Sequence, residues 1–370
     1  RTTTSVFQPT PGALNLLMLI GAATVVCAVL SALIQHDLKR LLAWHAVSQV
    51  GYMVLGIGTG TPLGLAGGLF HMLNNTLFKS CFFLSAGAIE RQAGTTDLDR
   101  LGGLGRLMPW TFGATLVSAL AISGVPPLNG FASKWMIYQG IVETGESMGP
   151  LWVVWLTAAM AGSALTLASF VKVLHAAFLA KPSPGVQQRG VTEAPLAMWA
   201  PMAVLASLCI LFGIVAHALP VRFLIRPAVP DLGEYTGVWW AGSATGLLLA
   251  ALAGGALLCW LAMRRAGVRT CPTYVGGEDL ATTHVSGIRE RHLEVTGVDF
   301  FNTVRDLPGL RAAYRAGAGG LLDLYASSRK SLFYLIEWLR KAHTGVLPTY
   351  VLWLLAGVIA IVYALLITER

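Results

Sequence analysis

Apolar runs of about 20 residues, the length a helix needs to cross a bilayer, alternate with short polar loops along most of this chain. Residues 14–34, 41–57, 63–89, 151–178, 196–218, 238–263 and 346–367 each predict a membrane span. Residues 110–143 predict one more, with a difference. Inside it lie Gly124, Pro126, Pro127 and Gly130, which do not belong together in one regular helix. The pattern there predicts two half-helices joined by an unwound link at membrane depth, tolerable only where protein or water surrounds the freed backbone. Lys134 follows four residues past that break. A cation at such depth is costly and marks a functional site by default. The fold class predicted is all-α: a polytopic membrane protein of about eight transmembrane helices, one of them broken.

Other spans carry polar stripes. In the second, His45, Ser48, Gln49 and Tyr52 fall at offsets that share one helix face, and a polar face in lipid must turn to the bundle interior. For Ser48, Gln49 and Tyr52, hydrogen bonding between helices explains the stripe as well as function does. A histidine can titrate near neutral pH, which makes His45 the better relay candidate. The third span holds His71, Asn74, Asn75 and Lys79, with His71, Asn75 and Lys79 spaced by four on one slowly drifting face. A lone histidine there would read as a satisfied core residue; with a lysine two turns away the functional reading leads. The fifth span ends in Lys172 and His175, candidates for a relay but read first as side chains snorkelling to the interface.

Composition agrees with the pattern: 55% of residues are hydrophobic and 12% charged, and the mean hydropathy is +0.65. The net charge of +8 is a topology signal, not a nucleic-acid one, because the basic residues are spread over loops. The five cysteines, Cys27, Cys81, Cys209, Cys259 and Cys271, show no cluster or metal spacing. No metal site, catalytic residue or redox cofactor is expected in this chain.

Loop charge sets an orientation. Lys39, Arg40, Arg91, Arg100, Arg106, Lys181, Arg189, Arg264, Arg265 and Arg269 fall on one side. Arg222, Arg226, Glu143, Glu146, Asp231 and Glu234 fall on the other. The first side reads as cytoplasmic, which leaves both termini outside. Residues 264–295 are a polar connector. From 298 to 343 an amphipathic helical pattern returns, with Val304, Leu307, Leu332 and Leu339 on apolar faces and Arg311, Arg315, Arg329 and Arg340 around them. It predicts a lateral helix lying on the cytoplasmic face, interrupted near 316–320.

Three motifs in order give the pattern a family. His36-Asp-Leu-Lys-Arg-Leu-Leu-Ala-Trp-His-Ala-Val-Ser-Gln-Val-Gly-Tyr52, Phe70-His-Met-Leu-Asn-Asn-Thr-Leu-Phe-Lys79 and Pro126-Pro-Leu-Asn-Gly-Phe-Ala-Ser-Lys134 resemble the second half of the antiporter-like subunits of respiratory complex I, Mrp antiporters and energy-converting hydrogenases. The run from Asn129 and the Gly-Gly-Glu278 stretch resemble the hydrogenase or formate-hydrogenlyase branch most. That family's fold contains inverted repeats, each with one broken helix. The resemblance makes residues 1–180 one five-helix repeat, 181–263 additional spans, 264–344 the connector and lateral helix, and 345–370 a C-terminal anchor. Two departures stand out. Asn75 takes a position where the family often has a second histidine, and hydrogenlyase relatives can carry glutamate where Lys134 stands. The family's first repeat, with its glutamate–lysine pair, is expected on a companion chain or on a longer polypeptide.

The resemblance implies proton translocation in a redox-driven complex. Lys134 would exchange protons centrally, with Lys79, His71 and His45 passing them along the interior. It also implies partners: other antiporter-like and small membrane subunits, lipid, and a hydrophilic redox arm carrying iron–sulfur clusters and, in the hydrogenase branch, nickel–iron. The cell's inner membrane is the expected location. A subunit of an Mrp-type Na+/H+ antiporter without a redox module is the alternative, and a helix-packing subunit with no transport role is a third.

Overall fold

The computed structural model describes residues 9–145, 149–229, 232, 241–266, 298, 301–319, 329, 332–334, 336–340 and 347–368. Contacts divide the chain into two compact units, Arg1–Asn302 and Thr303–Arg370. Every extended element among the described residues is helical. In the first unit these are α1 (Pro11–Leu33), α2 (Leu38–Gly58), α3 (Pro62–Ala93), α4 (Pro109–Ser123), α5 (Asn129–Glu143), α6 (Trp152–Val173), α7 (Leu196–Ile214) and α8 (Ala241–Ala266). The second unit contains α9 (Pro308–Ala318) and α10 (Leu347–Thr368). Five described helices are long and apolar enough to cross a membrane. The protein is a multi-pass membrane protein.

Helix starts follow from local chemistry. Thr10, Asp37 and Thr61 stand in extended backbone and accept from the amides of Ala13, Arg40 and Gly64, at 3.3, 2.8 and 3.1 Å, so α1, α2 and α3 each begin with a side-chain cap. Glycines then let helix backbones touch, the packing that lipid-embedded bundles favour. A methyl on Gly51 would lie 2.8 Å from the Gly21 carbonyl oxygen, and one on Gly140 only 2.4 Å from the Gly64 Cα. The largest apolar cluster joins Leu42, Phe78, Ile122, Phe170 and Met202 from α2, α3, α4, α6 and α7.

The loops assigned by charge to one side meet at one end of the first unit. Leu38 N donates to Thr96 O and Leu98 N to His36 O, both at 2.9 Å, and Ser183 Oγ donates to Arg100 O at 2.7 Å. Ion pairs His36–Asp99 (2.6 Å) and Lys39–Glu90 (2.5 Å) decorate this end. They are exposed and stabilise it by at most about 1 kcal/mol each.

Two expected spans end differently. The sixth stops as an α-helix at Ile214, short of residue 218, and His217–Ile225 continues in π geometry. The cause is Pro220, which has no N–H for the Ala216 carbonyl; Val221 N, one residue further, supplies it at 2.9 Å. The fifth likewise passes from α6 into a π-helical segment, Leu174–Leu179. Of the amphipathic run, Asn302–Arg305, α9 and helical residues at 329, 332–334 and 336–340 are described, and α9 ends at Ala318, inside the stretch where an interruption was expected. Most of the 264–295 connector, with Cys271 and Glu278, lies outside the described residues, as do the predicted positions Arg269, Glu146, Asp231 and Glu234.

Candidate functional site

The break lies where the prolines put it. An α-helix running through residue 127 would need amides at 126 and 127 for the carbonyls of Ile122 and Ser123, and both positions are proline. Helix α4 therefore closes at Gly124, which takes φ +83°, a backbone glycine adopts freely. Val125 N turns back to Leu120 O at 3.0 Å, and α5 starts at Asn129. Each half has 15 residues, or about 22 Å, too short to cross a bilayer alone.

Gly130 corrects an expectation. It is not part of the link but sits in the first turn of α5, where an added Cβ would lie 1.9 Å from the Ala121 carbonyl oxygen. Its role is close approach of the two halves. Gly213 of α7 does the same from outside: its Cβ would lie 2.0 Å from the Pro127 carbonyl oxygen.

Lys134 uses the break. It is 2% exposed, and its Nζ donates at 2.8 Å to the Ile122 carbonyl that Pro126 left without a helical donor. A cation there also meets the negative end of the α4 dipole. The Nζ donates a second bond to Ser163 Oγ of α6 at 3.1 Å and lies 4.5 Å from the centre of the Tyr52 ring. Tyr52 Oη donates to Ala159 O at 2.7 Å and lies 2.8 Å from Ser163 Oγ, which also meets Tyr138 Oη at 2.6 Å.

His71 is fully buried between α2 and α5. Its Nε2 donates to Gln49 Oε1 at 3.1 Å, and its Nδ1 lies 2.9 Å from Ser133 Oγ, one residue before Lys134. Ser133 also lies 3.2 Å from Gly130 O, so its hydroxyl proton can serve either the ring or the backbone. Lys79 Nζ donates to Leu42 O at 2.7 Å. His45, three residues on from Leu42, meets Ser169 Oγ at 2.8 Å through Nε2.

The remaining candidates divide. Asn74 is buried and donates to Asn129 O at 2.9 Å, whereas Asn75 is only half-buried. Ser48 donates to Val25 O at 3.1 Å and ties α2 to α1. Lys172 does not snorkel. It is 4% exposed and donates to the carbonyls of Leu33 and Gln35, at 2.7 and 2.8 Å, closing the end of α1. His175 is exposed and outside this constellation.

Several buried polar atoms near this line have no hydrogen-bond partner among the described residues: His45 Nδ1, Gln49 Nε2, Asn74 Oδ1, both amide atoms of Asn129, and Ser118 Oγ. Buried groups of this kind are ordinarily bonded by ordered water. No group of three or more metal-ligating side chains occurs among the described residues.

Residues 2–170 match the family described as NADH:quinone oxidoreductase/Mrp antiporter, TM. That match covers a little under half of the chain, and there the chain is similar to the family. The chain is 38% identical over 233 residues to formate hydrogenlyase subunit 3 of Escherichia coli (strain K12), covering 58% of this chain and 37% of that protein. It is 35% identical over 221 residues to a Na(+)/H(+) antiporter subunit of Alkalihalophilus pseudofirmus, covering 59% of this chain and 43% of that protein. The solved membrane-bound sulfane sulfur reductase, an archaeal respiratory membrane complex, superposes at TM-score 0.65 with 26% identity, over 95% of this chain and 56% of its own. The chain spans less than half the length of these two curated relatives.

Of the Lys134 partners, sequence reasoning passed over Tyr138 and read Ser163 only as one of several buried polar residues of the fifth span. Ser163 carries no signal beyond being polar in an apolar run. Tyr138 did carry one, lying four residues after Lys134 and so on its face. Glu193 was missed too. Its carboxylate accepts from Trp110 N (2.7 Å), Thr111 N (3.3 Å) and Thr111 Oγ1 (2.7 Å), capping α4 from a distant loop.

Proposed function

We propose that this chain is a proton-translocating membrane-arm subunit of a redox-driven complex. The observation that carries the reading is Lys134: a buried amine bonded to a carbonyl that a helix break sets free, with two other lysines and two histidines buried along the same bundle. Protons would move between Lys134, His71, Lys79 and His45, with ordered water on the unpartnered amides. Asn74, Asn75 and Gln49 would hold that water, and Ser48 and Lys172 would fix the helices around it. Charge on one buried lysine changes the proton affinity of the next, because an uncompensated buried charge costs several kcal/mol.

The finer architecture belongs to the same proposal. About eight spans would cross the cell's inner membrane with both termini outside. Residues 1–180 would form the antiporter-like repeat, 181–263 added spans, 264–344 the connector and a lateral helix on the cytoplasmic face, and 345–370 the anchor. Antiporter-like and small membrane subunits would flank the chain. A hydrophilic arm would carry the iron–sulfur and nickel–iron chemistry.

A second reading has support of its own: the 35% identity to a Na(+)/H(+) antiporter subunit, which makes an ion-gradient antiporter the alternative. Against it, the likeness that extends over 95% of the chain runs to a respiratory complex. The test is to purify the intact complex gently from its native membrane and identify each co-migrating subunit by mass spectrometry. Iron–sulfur subunits are the expected result. A set of small membrane subunits alone would overturn the redox reading in favour of the antiporter.

A further inference from the structure

Around Ser163 the hydrogen-bond directions are constrained. A backbone carbonyl only accepts, so the 2.7 Å contact between Tyr52 Oη and Ala159 O uses the single Tyr52 proton. Tyr52 therefore accepts from Ser163 in their 2.8 Å contact, which uses the single Ser163 proton. Ser163 then accepts from Tyr138 at 2.6 Å and from Lys134 at 3.1 Å. The resting chain runs Tyr138 to Ser163 to Tyr52 to the Ala159 carbonyl. It ends on a group that cannot pass a proton on.

The opposite polarity is open to the same atoms. Tyr52 can turn its proton to Ser163, Ser163 to Tyr138, and Tyr138 to an acceptor beyond it. The Ala159 carbonyl is not stranded by that change, because the amide of Ser163 already bonds it within α6. What is lost is one hydrogen bond, about 1 kcal/mol, regained when an acceptor stands beyond Tyr138. Lys134 is buried, whereas Ser163 and Tyr138 are half-buried, and Tyr138 lies one turn nearer the Glu143 end of α5. The reversed chain leads from the buried amine through half-buried side chains.

We propose that Tyr52, Ser163 and Tyr138 form a hydroxyl gate on Lys134, closed in the resting polarity and conducting in the reversed one. This rests on the reading of Lys134 as a proton carrier. In the open polarity Lys134 gives an N–H proton to Ser163 Oγ as Ser163 gives its own to Tyr138 Oη. Tyr138 gives its proton to a water molecule at the Glu143 end. Lys134 is left neutral and that water becomes hydronium. Tyr52 never carries the proton; it is a positioning residue that draws the Ser163 hydroxyl away from the path. Gly162 secures its place, since a methyl there would lie 2.9 Å from Tyr52 Oη.

The two phenols thus have opposite effects, which a shared packing role would not produce. The purified native complex is reconstituted in liposomes with an internal pH dye, and a valinomycin-clamped K+ gradient drives proton flux. Assembly of each variant is checked by its elution as the intact complex. Tyr52→Phe keeps the ring beside Lys134 and removes the closing acceptor, so flux rises about fivefold, the population equivalent of one hydrogen bond. Adding Tyr138→Phe to that variant returns the flux to the wild-type level. Adding Lys134→Met to Tyr52→Phe abolishes the rise and drops the flux to the level of Lys134→Met alone, well below wild type. A Tyr52→Phe variant no leakier than wild type overturns the gate, and so does a leak that survives Tyr138→Phe. A leak that survives Lys134→Met overturns the proton-carrier reading itself.

Discussion

Lys134 and Lys79 are both buried amines on apolar helices, yet they are held in different ways. Lys79 rides on the unbroken α3 and donates to Leu42 O, a carbonyl inside α2 that has a helical partner of its own. Lys134 rides on the second half of a broken helix and takes Ile122 O, which Pro126 leaves with no helical donor. A hydroxyl and an aromatic face complete its surroundings. One lysine borrows a satisfied group; the other fills a vacancy in the backbone. An intact helix can host a carrier, whereas a broken one builds a site for it.

That contrast orders the substitutions. Lys134→Met strands the Ile122 carbonyl and removes the central carrier, so proton flux through the reconstituted complex should fall at least ~100-fold. Lys79→Met strands nothing and should cost less, about tenfold in the same flux assay, with assembly unchanged. Equal losses would erase the distinction drawn between the two. Lys172→Met sharpens it from the other side, as a buried lysine assigned to structure. It leaves the Leu33 and Gln35 carbonyls short of a donor, so thermal unfolding of the complex should show about 1–3 kcal/mol of lost stability with flux nearly intact. Smallest is Glu193→Gln, which keeps an acceptor at the α4 N-terminus but not its charge. A loss of ~0.5 kcal/mol in the same melt is expected, shrinking with added salt.

Much of the fold was legible in the sequence because lipid imposes its own spelling. Long apolar runs gave the helices, and the Gly124, Pro126 and Pro127 run gave the break. Even the anchor of Lys134 was within reach, since a proline at 126 names the carbonyl four residues earlier as the free one. What could not be read was contact between distant spans. Ser163 on α6 and Glu193 on a loop look like ordinary polar residues until the bundle places them. Lys172 misled for a related reason: a lysine near a helix end usually reaches for water, but here the end of another helix lies closer. Gly130 was grouped with the break by neighbourhood, though its missing side chain serves backbone contact.

The glycine seam between Gly64 and Gly140 has a mechanical consequence. With a 2.4 Å clearance for any methyl there, α3 and α5 touch backbone to backbone. Helix α4 is capped at its far end by Glu193 and meets α5 at the short link, at the Gly130–Ala121 contact and through Lys134. Lys134, rooted on α5 and bonded to α4, is a strut across that junction.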